Sequence, residues 1–243
     1  MVNWVRKLAY LPNEKEARDG VKQLRADHQD CVQQARANNW PVKPIAAWPD
    51  HVVRYVHDEY VSERAYVVYT TMTRYSLGTE PDNSCAIKED LRRGAMLHTA
   101  SGMCQIDFTD QVARGDCPAM PKKPLQPTSG VKQKRPEAPP PTMPGGLYRV
   151  LNEFDSVLGH SCQKVRFGAS AEDSLNSCHV KAGGFMGFTR NAFLPPGHLA
   201  LTLKEEMGQG KMSAEAVDIK LAFRVEPRLF WPHAVPGMQV NPQ

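Results

Sequence analysis

Two short runs in this chain bring together side chains able to bind a soft metal or act as thiol and imidazole nucleophiles. They are His160-Ser-Cys162 and Cys178-His179. Zinc centres use Cys and His in sets of four, so His160, Cys162, Cys178 and His179 form a candidate metal set or enzyme site. The spacing argues against it. There is no C-x₂₋₄-C pair, and adjacent residues on a strand, such as Cys178 and His179, point to opposite faces. A Cys162–Cys178 disulfide closing a hairpin accounts for the same cysteines more simply.

Six cysteines are present: Cys31, Cys85, Cys104, Cys117, Cys162 and Cys178. An even count reads as a disulfide framework in an oxidising compartment, and as buried thiols in a reducing one. Asn83-Ser84-Cys85, Gly102-Met103-Cys104, Gly115-Asp116-Cys117-Pro118 and Asn176-Ser177-Cys178 put four of them beside turn residues. These read as staple positions and not core positions, which favours disulfides. After Cys162–Cys178, the preferred pairs are Cys104–Cys117 or Cys85–Cys104. A remaining cysteine is free to join Cys31 and tie the first helix to the sheet.

Other chemistry finds little support. Gly159-His-Ser-Cys-Gln163 and Gly168-Ala-Ser-Ala-Glu172 both miss the G-x-S-x-G elbow. No H-E-x-x-H occurs. Gly208-Gln-Gly210-Lys-Met-Ser213 begins like a dinucleotide-binding loop but lacks the third glycine and lies between two strands. No cofactor is implied.

The elements that would position these residues follow from the patterning. Residues 13–38 read as an amphipathic helix capped by Asn13, with Glu16 completing a capping box. Asp50 to about Glu63 reads as a second, shorter helix, with Val52, Tyr55, Val56 and Tyr60 on one side. Strand patterns occupy 65–75, 94–99 and 103–109, the last with Cys104, Ile106 and Phe108 alternating against Gln105 and Asp107. Leu147–Val150 and Ser161–Phe167 read as strands, with a helix over 147–158 as the competitor for the first. Leu199, Leu201 and Leu203, then Val217, Ile219, Leu221, Phe223 and Val225, mark a C-terminal pair of strands buried on one face. The expected class is α+β: N-terminal helices packed on a largely antiparallel β-sheet, with a C-terminal β-hairpin.

Between the halves lies a segment of different character. Residues 118–145 contain nine prolines, and five Lys/Arg against the single acid Glu137. That net +4 equals the formal charge of the whole chain, so the remainder is neutral. Pro121, Pro124 and Pro127 recur every third residue, as along one edge of a polyproline II helix. Lys122 and Lys123 flank that turn, and Lys132, Lys134 and Arg135 form a second basic cluster. These eight residues are the candidate partner-binding element. The organisation expected is 1–117, a helical start plus strands; 118–145, a basic linker or surface excursion; and 146–243, a mainly β module able to join the sheet of 65–109.

No apolar run approaches the roughly 18 residues of a membrane-spanning helix. The first ten residues lack the apolar core of a signal peptide, which fits either an intracellular protein or a mature, processed form. Together these readings point to a disulfide-stabilised, non-catalytic binding or structural component of the cell envelope, periplasmic or extracellular, with a protein or envelope surface as partner and homo-oligomers allowed. The alternatives are a metal protein or enzyme at the four-residue set, and an intracellular nucleic-acid binder using the Lys/Arg clusters. The second is disfavoured because no aromatic residue interleaves the basic ones from 118 to 147.

Overall fold

A computed structural model gives the architecture; it describes residues 2–62, 65–78, 85–99, 102–119, 148–168, 174–181, 200–207, 212–221 and 226–241. Its strands are β1 (Val2–Pro12), β2 (Val53–Ser62), β3 (Ala65–Leu77), β4 (Ile87–Thr99), β5 (Gly102–Asp107), β6 (Val112–Gly115), β7 (Tyr148–Val157), β8 (His160–Phe167), β9 (Leu175–Lys181), β10 (Ala200–Met207), β11 (Met212–Leu221) and β12 (Gln239–Asn241). They form one sheet in the order β12-β6-β5-β4-β3-β2-β1-β11-β10-β9-β8-β7. Neighbours are antiparallel except β12, which runs parallel to β6. The sheet is therefore two meanders that meet where β1 pairs with β11, and strands from both sides of the Pro-rich segment belong to it.

This corrects the α+β expectation. The described residues contain a single α-helix, α1 (Glu14–Ala37), and a one-turn 3-10 helix at Pro227–Phe230. The second helix expected over 50–63 is instead strand β2. Val53, Tyr55, Val56 and Tyr60 are β-branched or aromatic, and such side chains lose rotamer freedom in a helix but suit a pleated surface. With β1 on one side and β3 on the other, both edges of β2 are hydrogen-bonded. That ladder outweighs the helical spacing of four apolar residues. The helix that competes for 147–158 likewise gives way to a strand, with Tyr148–Val157 as β7.

Helix α1 starts where its cap dictates. The Glu16 N–H donates to Asn13 Oδ1 at 2.8 Å, and the chain leaves the helix at Asn38, whose N–H returns to Gln34. Leu24, Cys31 and Ala35 form its buried stripe.

Three clusters make the core. Val67, Leu97, Cys104, Ile106 and Ala113 pack under the C-terminal segment, which contributes Phe230 and, at the margin, Trp231. Leu8, Val157, Cys162, Cys178, Leu203 and Ala216 form the second, in the half built from β7 to β11. Cys31, Ala35 and Cys85 form the third, beneath α1. The final hairpin departs from its expected pattern. Its inward residues on β11 are Ala214 and Ala216, while Val217 is 52% exposed. The register explains this: Lys7 faces Asp218 and Leu8 faces Ala216, leaving Val217 as the extra residue of a bulge.

The chain end returns to the first meander. Tyr69 donates its hydroxyl to the Leu229 carbonyl, His233 Nε2 donates to the Pro118 carbonyl at 2.6 Å, and the Gln239 N–H donates to the Gln111 carbonyl.

Candidate functional site

All six cysteines are paired, as Cys31–Cys85, Cys104–Cys117 and Cys162–Cys178. The first ties α1 to the residues leading into β4. The second closes the β5–β6 hairpin at its exit. The third lies diagonally across β8 and β9, since the residue directly opposite Cys178 is Lys164. Each of the three core clusters contains one of these bridges. Cys85, Cys104 and Cys178, three of the four cysteines beside turn residues, are 1%, 0% and 3% exposed, so the expectation of staple and not core positions is half corrected: they are bridged, and they are also core.

The proposed metal set does not assemble. Cys162 and Cys178 are bonded to each other, and a disulfide sulfur is no thiolate ligand. His179 points to the face of β9 opposite Cys178. No group of three or more His, Cys, Asp or Glu residues able to hold a metal occurs among the described residues. The eight partner-binding candidates, Pro121, Lys122, Lys123, Pro124, Pro127, Lys132, Lys134 and Arg135, lie outside the described residues.

What the structure builds around His179 is a buried polar network. Its Nε2 lies 2.6 Å from Ser177 Oγ, and its Nδ1 lies 3.2 Å from Thr202 Oγ1. The three residues are 4%, 7% and 5% exposed in the order Ser177, His179, Thr202. Ser177 and His179 share one face of β9 by the two-residue repeat, and Thr202 sits directly opposite His179 on β10. A serine within reach of an imidazole has the geometry of a nucleophile and its base. Here the third member is a neutral hydroxyl, which cannot stabilise an imidazolium as a carboxylate does.

The register extends this polar row across the sheet. Ser177 faces Glu205 on β10, Glu205 faces Ala214 on β11, and Ala214 faces Tyr10 on β1. The Tyr10 hydroxyl donates to Glu205 at 3.4 Å, and its ring tilts against His57 of β2 at 4.4 Å. Two residues along β2, Glu59 is 4% exposed and accepts from the Tyr66 hydroxyl at 2.8 Å; the Tyr66 ring stacks on His98 of β4. Six titratable side chains (His98, Tyr66, Glu59, His57, Tyr10 and Glu205) thus line one face between β4 and β10, and lead to His179. Of the six only Glu59 is buried, and the hydrogen bond from Tyr66 offsets the cost of that burial.

On the other face of β2 and β3, Tyr60 and Tyr69 pack against the first core cluster. Burial, helped by the neighbouring Tyr60, pushes the Tyr69 phenol up to about 12. Tyr60 is raised by burial and then by the Asp58 carboxylate. Both phenols stay protonated at neutral pH.

A shallow depression of about 230 Å³ opens beside β7. Val150 faces Val165 and Phe154 faces Gln163, so three β7 residues, 151–153, oppose Lys164 alone. This irregularity interrupts the β7–β8 ladder. Glu153, Asp155 and Glu206 line the depression with Lys164, Arg166 and Lys204. Lys164 pairs with Glu153 at 3.6 Å, and Lys204 with Glu206 at 3.7 Å and Asp155 at 4.0 Å. The charges are solvated and largely neutralise one another, so the depression favours no ion of either sign.

Ser177, Thr202, Glu205, Tyr10 and Glu59 were not legible as a group. The one signal in the sequence is the polar alternation Ser177-x-His179 inside an otherwise strand-like run.

No family model matches the chain, and no curated protein matches it. Among solved structures, the chain is similar to an uncharacterized conserved protein from Thermus thermophilus, with a TM-score of 0.42 at 8% identity, over 99% of this chain and 90% of that one. It is also similar to PNGF-II in two crystal forms, with TM-scores of 0.37 and 0.38 at 8% identity. The chain spans 31% and 32% of the length of those PNGF-II chains. At these scores the likenesses are partial and geometric.

Proposed function

We propose that this chain is a disulfide-stabilised, non-catalytic binding or structural component of an oxidising compartment, periplasmic or extracellular. One observation carries the reading: every cysteine is paired, and the three bridges are distributed one to each core cluster. Cytosolic redox buffers keep such thiols reduced, so a fold with disulfides inside all of its clusters fits an oxidising environment. No helix among the described residues is long and apolar enough to cross a membrane. In this reading the sheet is the scaffold, and the basic segment 118–145, which holds the whole net charge of the chain, is the contact element for a protein partner or an acidic envelope surface.

The test is cell fractionation of the protein at its native level. Recovery in the periplasmic or extracellular fraction, with all thiols blocked, is the expected result. Recovery in the cytoplasm as a free-thiol protein would overturn the proposal.

A further inference from the structure

The two edges of the sheet differ. β12 is three residues long, exposed throughout and polar at two of its three positions, the kind of short edge that resists pairing. β7 is ten residues long and, among the described residues, is hydrogen-bonded only to β8. Val157 is buried in the core, but other apolar side chains are turned to solvent: Val150 is 36% exposed, Phe154 59%, and Leu158, just past the end of β7, 54%.

The charges of β7 are also left incomplete. Arg149 is exposed and lies directly opposite Arg166 of β8, a like-charge cross-strand pair. Arg149 has no ion pair among the described residues. Asp155 holds Lys204 only at 4.0 Å and keeps 39% of its side chain exposed. Arg149 and Asp155 fall on one face of β7, Val150 and Phe154 on the other.

We infer that β7 pairs antiparallel with β7 of a second copy of this chain, about a two-fold axis through Asn152. An antiparallel strand related to itself by that axis places residue 149 opposite 155 and residue 150 opposite 154. Arg149 then meets Asp155 of the second copy, and Val150 meets Phe154 of the second copy. Each contact occurs twice by symmetry, the hallmark of an isologous interface. Asn152 meets Asn152, and Leu151 meets Glu153 without benefit. The bulge at 151–153 falls on the axis, so the ladder consists of two runs, 148–150 and 154–156. A register centred on Leu151 would set Arg149 against Glu153 instead, but Glu153 is already paired with Lys164 at 3.6 Å, and Val150 would then face Asn152. The self-complementary pattern is what selects a second copy over a foreign peptide.

Sedimentation equilibrium of the full, disulfide-bonded chain over roughly 1–100 µM tests this. A monomer–dimer equilibrium is expected. Arg149→Asp, which puts like charges opposite each other twice, is expected to weaken the dimer roughly tenfold, and Arg149→Asp with Asp155→Arg to restore it. Phe154→Lys is expected to abolish it. A monomer at every concentration overturns the inference, as does a dimer indifferent to these changes or a loss that the charge swap fails to recover. Hydrogen exchange of the unsubstituted protein gives an answer without variants. Protection of those amides in 148–150 and 154–156 that point away from β8 must rise with protein concentration, and protection independent of concentration overturns the inference.

Discussion

The Tyr69 hydroxyl donates to the Leu229 carbonyl oxygen at 2.8 Å, tying strand β3 to a segment 160 residues later in the chain. That bond closes the C-terminal segment over the core cluster that Phe230 completes. Burial there, with Tyr60 beside it, pushes the titration of this phenol up to about 12.

Alkaline stability follows from it. Because the folded phenol holds its proton above the ordinary value of 10.0, the unfolded chain ionises first. The stabilisation is complete below about pH 10 and is lost as pH rises through about 12. Tyr69→Phe is expected to flatten the decline of stability across that window and to remove the last phenolate step from a spectrophotometric titration. An unchanged slope would show that Tyr69 titrates normally.

The three bridges differ in the loop they close. Cys31–Cys85 spans 54 residues and Cys104–Cys117 spans 13. In the chain-entropy account the first contributes about 4 kcal/mol and the second about 3 kcal/mol. Paired Cys→Ser replacement is expected to cost more at Cys31/Cys85 than at Cys104/Cys117, read as the difference in denaturant midpoint at equal slope. The reverse order would point to strain or residual structure outweighing loop closure.

The buried network at His179 is expected to behave as a structural unit. Ser177→Ala removes the hydroxyl that lies 2.6 Å from the buried His179 Nε2. The cost is about 1–3 kcal/mol in a urea titration with disulfides intact. A neutral result would mean that water or another side chain takes the place of the hydroxyl.

Gly115 tests the backbone. Its φ is +94°, and a Cβ built there would lie 2.5 Å from the Met103 carbonyl oxygen. Gly115→Ala is expected to destabilise the β5–β6 corner by about 2 kcal/mol or more, because conformational strain and a main-chain clash act together. Thermal unfolding measures it.

How far the sequence foretold this depends on whether the deciding force was local. The Asn13–Glu16 cap, the alternation Cys104-x-Ile106 and the β-branched run of β3 are local, and each matches its element. β1 escaped notice because Val2–Pro12 alternates poorly; β2 and β11 on either side make it a strand. β2 itself is ambiguous in sequence because Val52, Tyr55, Val56 and Tyr60 fit a helical repeat as well as a mixed strand, and only the partners decide. The polar row depends on register: Ser177, Glu205 and Tyr10 are far apart in sequence and meet only once β9, β10, β11 and β1 are aligned. Cys162–Cys178, by contrast, needs only one hairpin, and the sequence carries that.

The central claim is that the six cysteines form three bridges built into the core clusters. Peptide mapping of the native protein, alkylated and digested without reductant, tests it most directly. The result predicted is no free thiol and linked peptides for Cys31–Cys85, Cys104–Cys117 and Cys162–Cys178 alone. Six alkylated cysteines in the untreated protein, or a different set of linked peptides, would contradict it.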